Sequence, residues 1–230
     1  MERERTMAGP LVKPQRLITG LLLMVGALAV GHLLSVPLGQ WSWQFERLFC
    51  LDLESNLPTW FSSLLWAVTA LAAYRCAHYA FLPRHRSAWM VMTCVLIFLS
   101  CDEVAMMHEN FSRALDRRLF HGALISRFPV GFWPLIFGPA IGVGVIWLGR
   151  ELRLCLCGSA AAGRRVALGI GLLLVGGMGF EMIANLLAAP SLTRLYNIEV
   201  LFEELFEMLG AIAILSGLLL HQRFLQGEAQ

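Results

Sequence analysis

The chain has 230 residues, 57% of them hydrophobic and only 15% charged, with a net charge of +2. Its mean hydropathy of +0.66 lies well above that of a water-soluble domain of this length, so water is not the solvent this composition suits. The weak charge balance gives no basic footprint for nucleic acid, and no Walker loop, Gly-x-Ser-x-Gly elbow or Cys-x-x-Cys pair occurs; nucleotide hydrolysis, serine esterase chemistry and dithiol redox therefore have no support.

Six apolar runs, each long enough to cross roughly 30 Å of hydrocarbon at about 1.5 Å per residue, predict an all-α, polytopic membrane helical bundle of six transmembrane helices. In chain order they cover residues 17–38, 59–82, 87–107, 130–149, 166–189 and 200–220. Short connections leave one membrane domain, 17–222, between a segment 1–16 and a tail 223–230. The charged opening precedes an apolar run longer than the roughly 7–15 residues of a secretory signal, which predicts a retained first span. With the first segment inside, twelve Lys and Arg residues fall on the cytoplasmic side and six on the other, so both termini are expected in the cytoplasm. Trp41, Trp43, Trp60, Trp133 and Tyr196 mark outer boundaries, and Trp89 and Trp147 inner ones. Glycines in the fourth run (Gly138, Gly142) and the fifth (Gly169, Gly171, Gly176, Gly177, Gly179) predict that both helices pack inside the bundle.

Acidic residues concentrate at one level. The third helix runs outward from Ser87, which carries Asp102 and Glu103 about 22 Å along it. The fifth carries Glu181 and Asn185 to a similar depth, and the first carries His32 there. The sixth runs inward from an expected Asn197 cap, with Glu199, Glu203, Glu204 and Glu207 in its first turns. A charge at mid-span costs about 2.5–3.5 kcal/mol on insertion scales, so these groups are expected to face the bundle interior. At about 100° per residue, Asp102, Met106 and Glu109 share a face with Arg113 one turn on, and Glu199, Glu203 and Glu207 align on the sixth helix.

Charge balance points to function. The outer half holds twelve acids (Glu46, Asp52, Glu54, Asp102, Glu103, Glu109, Asp116, Glu181, Glu199, Glu203, Glu204, Glu207) against six arginines (Arg47, Arg113, Arg117, Arg118, Arg127, Arg194). The surplus must be protonated, hydrated or bound to cations. Asp102, Glu103, His108, Glu109, Glu181, Glu203, Glu204 and Glu207 are candidate ligands for a divalent metal, with His32, Asn185, Glu199 and Arg113 supporting. Carboxylate with imidazole suits Fe, Mn or Zn. His108 lies about 140° from Glu103 on an ideal helix, so a shared site requires the helix to end or unwind near Met107. Asn110, Phe111 and Ser112 come after Glu109, so the His-Glu-x-x-His zinc motif is absent. The plainer alternative pairs Asp102 and Glu109 with Arg113, Arg117 or Arg118.

At Ser100-Cys101-Asp102-Glu103 followed by His108-Glu109, and at Glu203-Glu204-x-x-Glu207-x-Leu209-Gly210, the chain resembles a set of uncharacterised bacterial multipass membrane proteins with no known activity. The resemblance implies that the two acidic stretches belong together and that the location is the bacterial inner membrane. Three functions stand as expectations. The first is a metal-binding membrane protein, in one form an enzyme acting on a lipid or small molecule. The second is a proton- or cation-coupled transporter or channel, which requires matching polar groups in the inner half. The third is a non-catalytic assembly partner. The lipid bilayer is the expected surrounding in each.

Overall fold

The computed structural model describes residues 14–39, 41–187 and 190–227; nearly all of the expected cytoplasmic segment 1–16, the end of the fifth run at 188–189 and the tail from 228 lie outside the described residues. Among the described residues there is no strand. Helix α1 (Pro14–Gly39) is followed by the short α2 (Trp43–Phe49), then α3 (Leu57–Tyr79), α4 (Pro83–Ala105), α5 (Met107–Leu115) and α6 (Ala123–Arg127). Helix α7 (Trp133–Cys155) returns to the opposite end, and α8 (Ala160–Leu174) runs through a π-helical stretch, Val175–Phe180, into α9 (Glu181–Leu187). The longest helix, α10 (Thr193–Leu225), closes the chain and starts one turn before Asn197, so that residue does not cap it.

Local chemistry sets several of these boundaries. Asn56 caps α3 by accepting the Thr59 N–H at 3.1 Å, with a proline in the first turn where its missing N–H costs nothing. Pro83 starts α4 in the same way, and α4 stops at Met106, whose left-handed φ of 48° cannot continue a helix.

Helix α10 is the axis of the bundle and packs against α1, α3 and α8. Glycine makes the α8–α10 crossing close. A Cβ on Gly169 would stand 2.5 Å from the Gly210 carbonyl oxygen, and one on Gly217 would stand 2.9 Å from that of Ala162. Helices α3 and α4 interlock through Ser63 and Ser100, each hydroxyl donating to the other residue's carbonyl, at 2.7 and 2.8 Å. Between these helices lies a core that includes Leu65, Trp66, Met92, Leu96, Met208 and Leu215.

Among the described residues, five helical stretches are long and apolar enough to cross a membrane: Pro14–Ser35, Leu57–Tyr79, Pro83–Ala105, Trp133–Cys155 and Ala160–Leu187. The sixth expected run, 200–220, lies in α10 and is not among them. Large apolar side chains on these helices point away from the bundle, with Leu23 70% and Val143 71% exposed, a surface suited to hydrocarbon.

Two expectations are corrected. The fourth run does not pack inside the bundle: α7 buries only Pro134 and Leu152, and a Cβ on Gly142, Gly144 or Gly149 would meet nothing. Glycine content lets a helix approach closely but does not choose its neighbour. Trp89 is not a boundary residue, being 1% exposed with its ring 5.5 Å from that of His221. We expect Gly169→Ala to destabilise the protein by about 1–3 kcal/mol through overpacking, while Gly142→Ala leaves stability unchanged or slightly raised; thermal unfolding in detergent checks both.

Candidate functional site

The acidic end of the bundle is where the C-termini of α1, α4 and α9 meet the N-termini of α3, α7 and α10. On α4, Glu103 is held by α3: its Oε1 accepts the Ser62 hydroxyl at 2.8 Å and the Trp66 indole N–H at 3.1 Å. Ser62 and Trp66 stand one turn apart on α3, so both reach the same carboxylate. Asp102 turns the other way and accepts the backbone N–H of His108 at 2.9 Å while its second oxygen pairs with His108 Nδ1. This dyad exists because α4 breaks at Met106 and α5 restarts at Met107, which removes the angular offset of an uninterrupted helix. Burial pulls the His108 pKa down, but the hydrogen bond and charge of Asp102, with Glu109 and Glu181, outweigh it and hold the imidazole above its ordinary value. The ring meets Trp133 edge-on at 4.8 Å.

Glu181 opens α9 directly after the π-helical stretch and is 9% exposed. Its carboxyl lies within hydrogen-bond reach of Glu203 on α10, and its Oε1 has no partner. Gly131 presses against it: a Cβ there would sit 1.4 Å from Glu181 Oε1, so no other residue fits without displacing the carboxylate. Asn185 keeps this approach in place. Its Oδ1 accepts the Val130 N–H at 3.1 Å, and its Nδ2 donates to the carbonyls of Gly131 at 2.7 Å and Glu181 at 3.0 Å. Glu207 lies over Gly177, where a Cβ would come within 2.6 Å of its Oε1. Glu204 has Glu103 and Glu207 as electrostatic neighbours. Glu199 is 4% exposed with neither oxygen partnered, and Glu181 and Asp52 are the charges nearest it.

Two of the supporting residues have other tasks. His32 accepts the Leu51 N–H on Nδ1 at 3.1 Å and places Nε2 3.2 Å from the Asn197 carbonyl. The two nitrogens thus serve backbone groups, tying α1 to the α2–α3 loop through Leu51 and to α10 through Asn197. Arg113 pairs with Glu109 at 2.8 Å. Asp102 pairs with His108 and with none of the arginines. Asp116, fully buried, accepts the N–H groups of Leu124 and Ile125 at 3.1 Å and caps α6. In the α2–α3 loop, burial pushes the pKa values of Asp52 and Glu54 up, although Asp52 receives the Tyr196 hydroxyl at 2.8 Å.

Beside the layer, α5, α6 and the loop leading into α7 enclose a cavity of about 210 Å³, walled by Glu109, Ser112, Arg113, Ile125 and residues 128–133. Among the described residues, no three His, Cys, Asp or Glu side chains are arranged to hold a metal ion. Sequence reasoning did not single out Ser62, Trp66 or Gly131, and took Trp133 for a boundary marker. A hydroxyl and an indole one turn apart in an apolar span were a legible signal for the first two; Gly131 and Trp133 needed the fold.

Residues 16–222 match the family described as a domain of unknown function, DUF8692, and the chain belongs to that family. No curated protein and no solved structure matches it.

Because the folded state holds the His108 pKa above its ordinary value, the dyad's contribution to stability is full below the unfolded pKa of about 6.5 and is lost as pH rises through the higher folded value. We therefore expect the stability gap between wild type and His108→Gln to shrink as pH rises above neutrality, measured by thermal unfolding across a pH series.

Proposed function

We propose that this member of the DUF8692 family is a multi-pass protein of a bacterial inner membrane, with six spans and cytoplasmic termini, that takes up cations at its acidic end. Protons come first, and a divalent metal ion such as Fe, Mn or Zn is taken where one is supplied. The observation that carries this reading is the charge balance. Among the described residues at this end, the ion pairs are Glu109 with Arg113 and Asp102 with His108, which leaves Glu103, Glu181, Glu199, Glu203, Glu204 and Glu207 without a basic partner. Two carboxyls within hydrogen-bond reach, as Glu181 and Glu203 are, need a proton or a cation between them.

The donor set suits a hard or borderline divalent ion. Asp102, Glu103, Glu109, Glu181, Glu203, Glu204 and Glu207 would offer oxygens and His108 its Nε2. Because no three of these groups converge, a metal would have to draw them in by side-chain rotation. A bound metal would supply Lewis acidity or a redox centre, and Asp102, bonded to Nδ1, would hold the His108 ring with Nε2 toward it.

The site is read as open to one side only. Below the carboxyls the bundle is filled by Leu65, Ala70, Met92, Leu96, Met208, Ala211 and Leu215, while Thr69 and Thr93 spend their hydroxyls on their own helices' carbonyls, Leu65 and Trp89, at 2.7 and 2.8 Å. A path through the bundle has no polar steps there, which favours uptake over conduction.

Purified wild type is expected to carry metal, or to gain thermal stability when it is added, and an Asp102→Asn, Glu203→Gln variant is expected to lose both properties in elemental analysis and unfolding assays. Wild type lacking any metal response, together with a potentiometric titration no different from that of a Glu181→Gln, Glu203→Gln variant, would refute the proposal. For the topology, Cys157, exposed between α7 and α8, is the reporter: as the sole cysteine it is expected to react with an impermeant maleimide only after the membrane is opened.

A further inference from the structure

We propose that the cavity beside the acidic layer binds a zwitterion bearing a phosphate and an ammonium group, presented as the head group of a phosphatidylethanolamine-type lipid. This goes beyond the cation reading, although Glu109 and Glu181 take part in both.

The walls carry charge of both signs. Arg113 and Glu109 meet at 2.8 Å on one wall, with side chains 41% and 22% exposed, so neither is sealed off from a ligand. The 23-residue helix α7 begins on another wall with no side-chain cap, leaving the positive end of its dipole turned to the cavity. Trp133, in its first turn, has an indole N–H buried without a partner. Gly131 brings in the opposite charge, because the unpartnered Glu181 Oε1 lies directly behind it. A simple anion would face Glu109 and Glu181, and a simple cation would face Arg113 and the helix N-terminus. A zwitterion satisfies both, with its phosphate toward Arg113 and the start of α7 and its ammonium toward Glu109 and Glu181.

Size and surroundings favour the lipid source. The volume of about 210 Å³ equals roughly seven waters at about 30 Å³ each and falls short of the roughly 300–1,000 Å³ of a pocket that swallows a whole ligand. A head group fits while the rest of the molecule stays outside. Outside, Phe111 on α5, 58% exposed, sets its ring 5.8 Å from that of Phe137 on α7, an apolar flank along which acyl chains can lie. Ile125, Phe128 and Phe132 give the cavity itself an apolar side for the glycerol region.

The test uses the full chain in nanodiscs of phosphatidylcholine doped with phosphatidylethanolamine or phosphatidylglycerol, in chelator so that the outcome is independent of any metal. Lipid retention is read by native mass spectrometry. Wild type is expected to retain phosphatidylethanolamine about tenfold better than phosphatidylglycerol, a gap of about 1.4 kcal/mol. Arg113→Gln is expected to abolish retention of both. Glu109→Gln removes the preference between them, and Arg84→Gln at the opposite end changes nothing. If Arg113→Gln fails to fold, Trp133→Phe, which keeps an aromatic side chain but replaces the indole and its N–H with a smaller phenyl ring, is expected to weaken retention severalfold. Equal retention of the two lipids by wild type overturns the proposal, as does an Arg113 variant that folds and retains lipid unchanged. Soluble phosphoethanolamine that competes as strongly as the lipid overturns the lipid source while keeping the zwitterion.

Discussion

A carboxylate inside an apolar helix bundle has to be neutralised where it stands, since neither hydrocarbon nor packed aliphatic side chains can solvate it. Most of the structure at the acidic end answers to that constraint. Four of the carboxyls there have four different partners. Glu103 takes neutral donors from Ser62 and Trp66, Asp102 takes His108, Glu109 takes Arg113, and Glu181 takes Glu203. Asp102 and Glu109 are charge-paired by the protein's own groups, and Glu103 is hydrogen-bonded by neutral donors that leave its charge unbalanced. The fourth joins two acids and is therefore complete only with something the chain does not provide. This asymmetry concentrates the functional reading on the α9–α10 contact and leaves α3 and α4 as its frame.

Backbone irregularity is what allows the groups to meet. A regular α4 would carry His108 around to another face; the left-handed Met106 stops the helix and lets α5 return the imidazole to Asp102. The π-helical stretch before Glu181 does related work on the other side, since an inserted residue rotates the next turn of helix about its axis, and π-turns recur where a helix must present a side chain. Its glycines then bring α10 in close: a Cβ on Gly176 would be 3.1 Å from the Glu203 carbonyl and from the Glu207 stem. The cost of glycine in a helix interior, about 1 kcal/mol each, is offset by bringing two acidic helices into contact.

Five of the six expected apolar runs were legible as helices long and apolar enough to span a membrane, because hydropathy sums over some twenty residues and tolerates local error. The acidic layer was partly legible, since depth along a helix comes from counting: the acids whose charges act on His108, Glu181 and Glu203 come from the stretches expected to share a level. Partners were not legible, because they depend on which helices adjoin. Gly142 and Gly169 look alike in sequence, yet the first faces nothing and the second touches Gly210. Trp89 has the composition of a boundary marker and the position of a core residue, because α10 covers it with His221. His32 stands alone in its span and proves to be satisfied by two backbone groups from segments far along the chain.

The two ends of the bundle treat polar groups oppositely, and that difference bears on what kind of site this is. At the arginine-rich end, Arg84 and Glu151 form a bidentate pair of 2.6 Å bonds on the surface, Arg165 reaches Ser216 at 2.7 Å, and Gln222 spends its amide on the Ala72 carbonyl at 2.8 Å. Partners are found within the chain, as expected where polar groups only anchor helices. At the acidic end, buried oxygens of Glu181 and Glu199 have none. The buried Nδ1 of His221 is an exception at the arginine-rich end, so open polar atoms are not confined to the acidic end; what sets the acidic end apart is that carboxylate oxygens are among its open atoms. Open buried oxygens beside a cavity walled by Arg113, Glu109 and Trp133 form a surface prepared for a ligand of mixed charge.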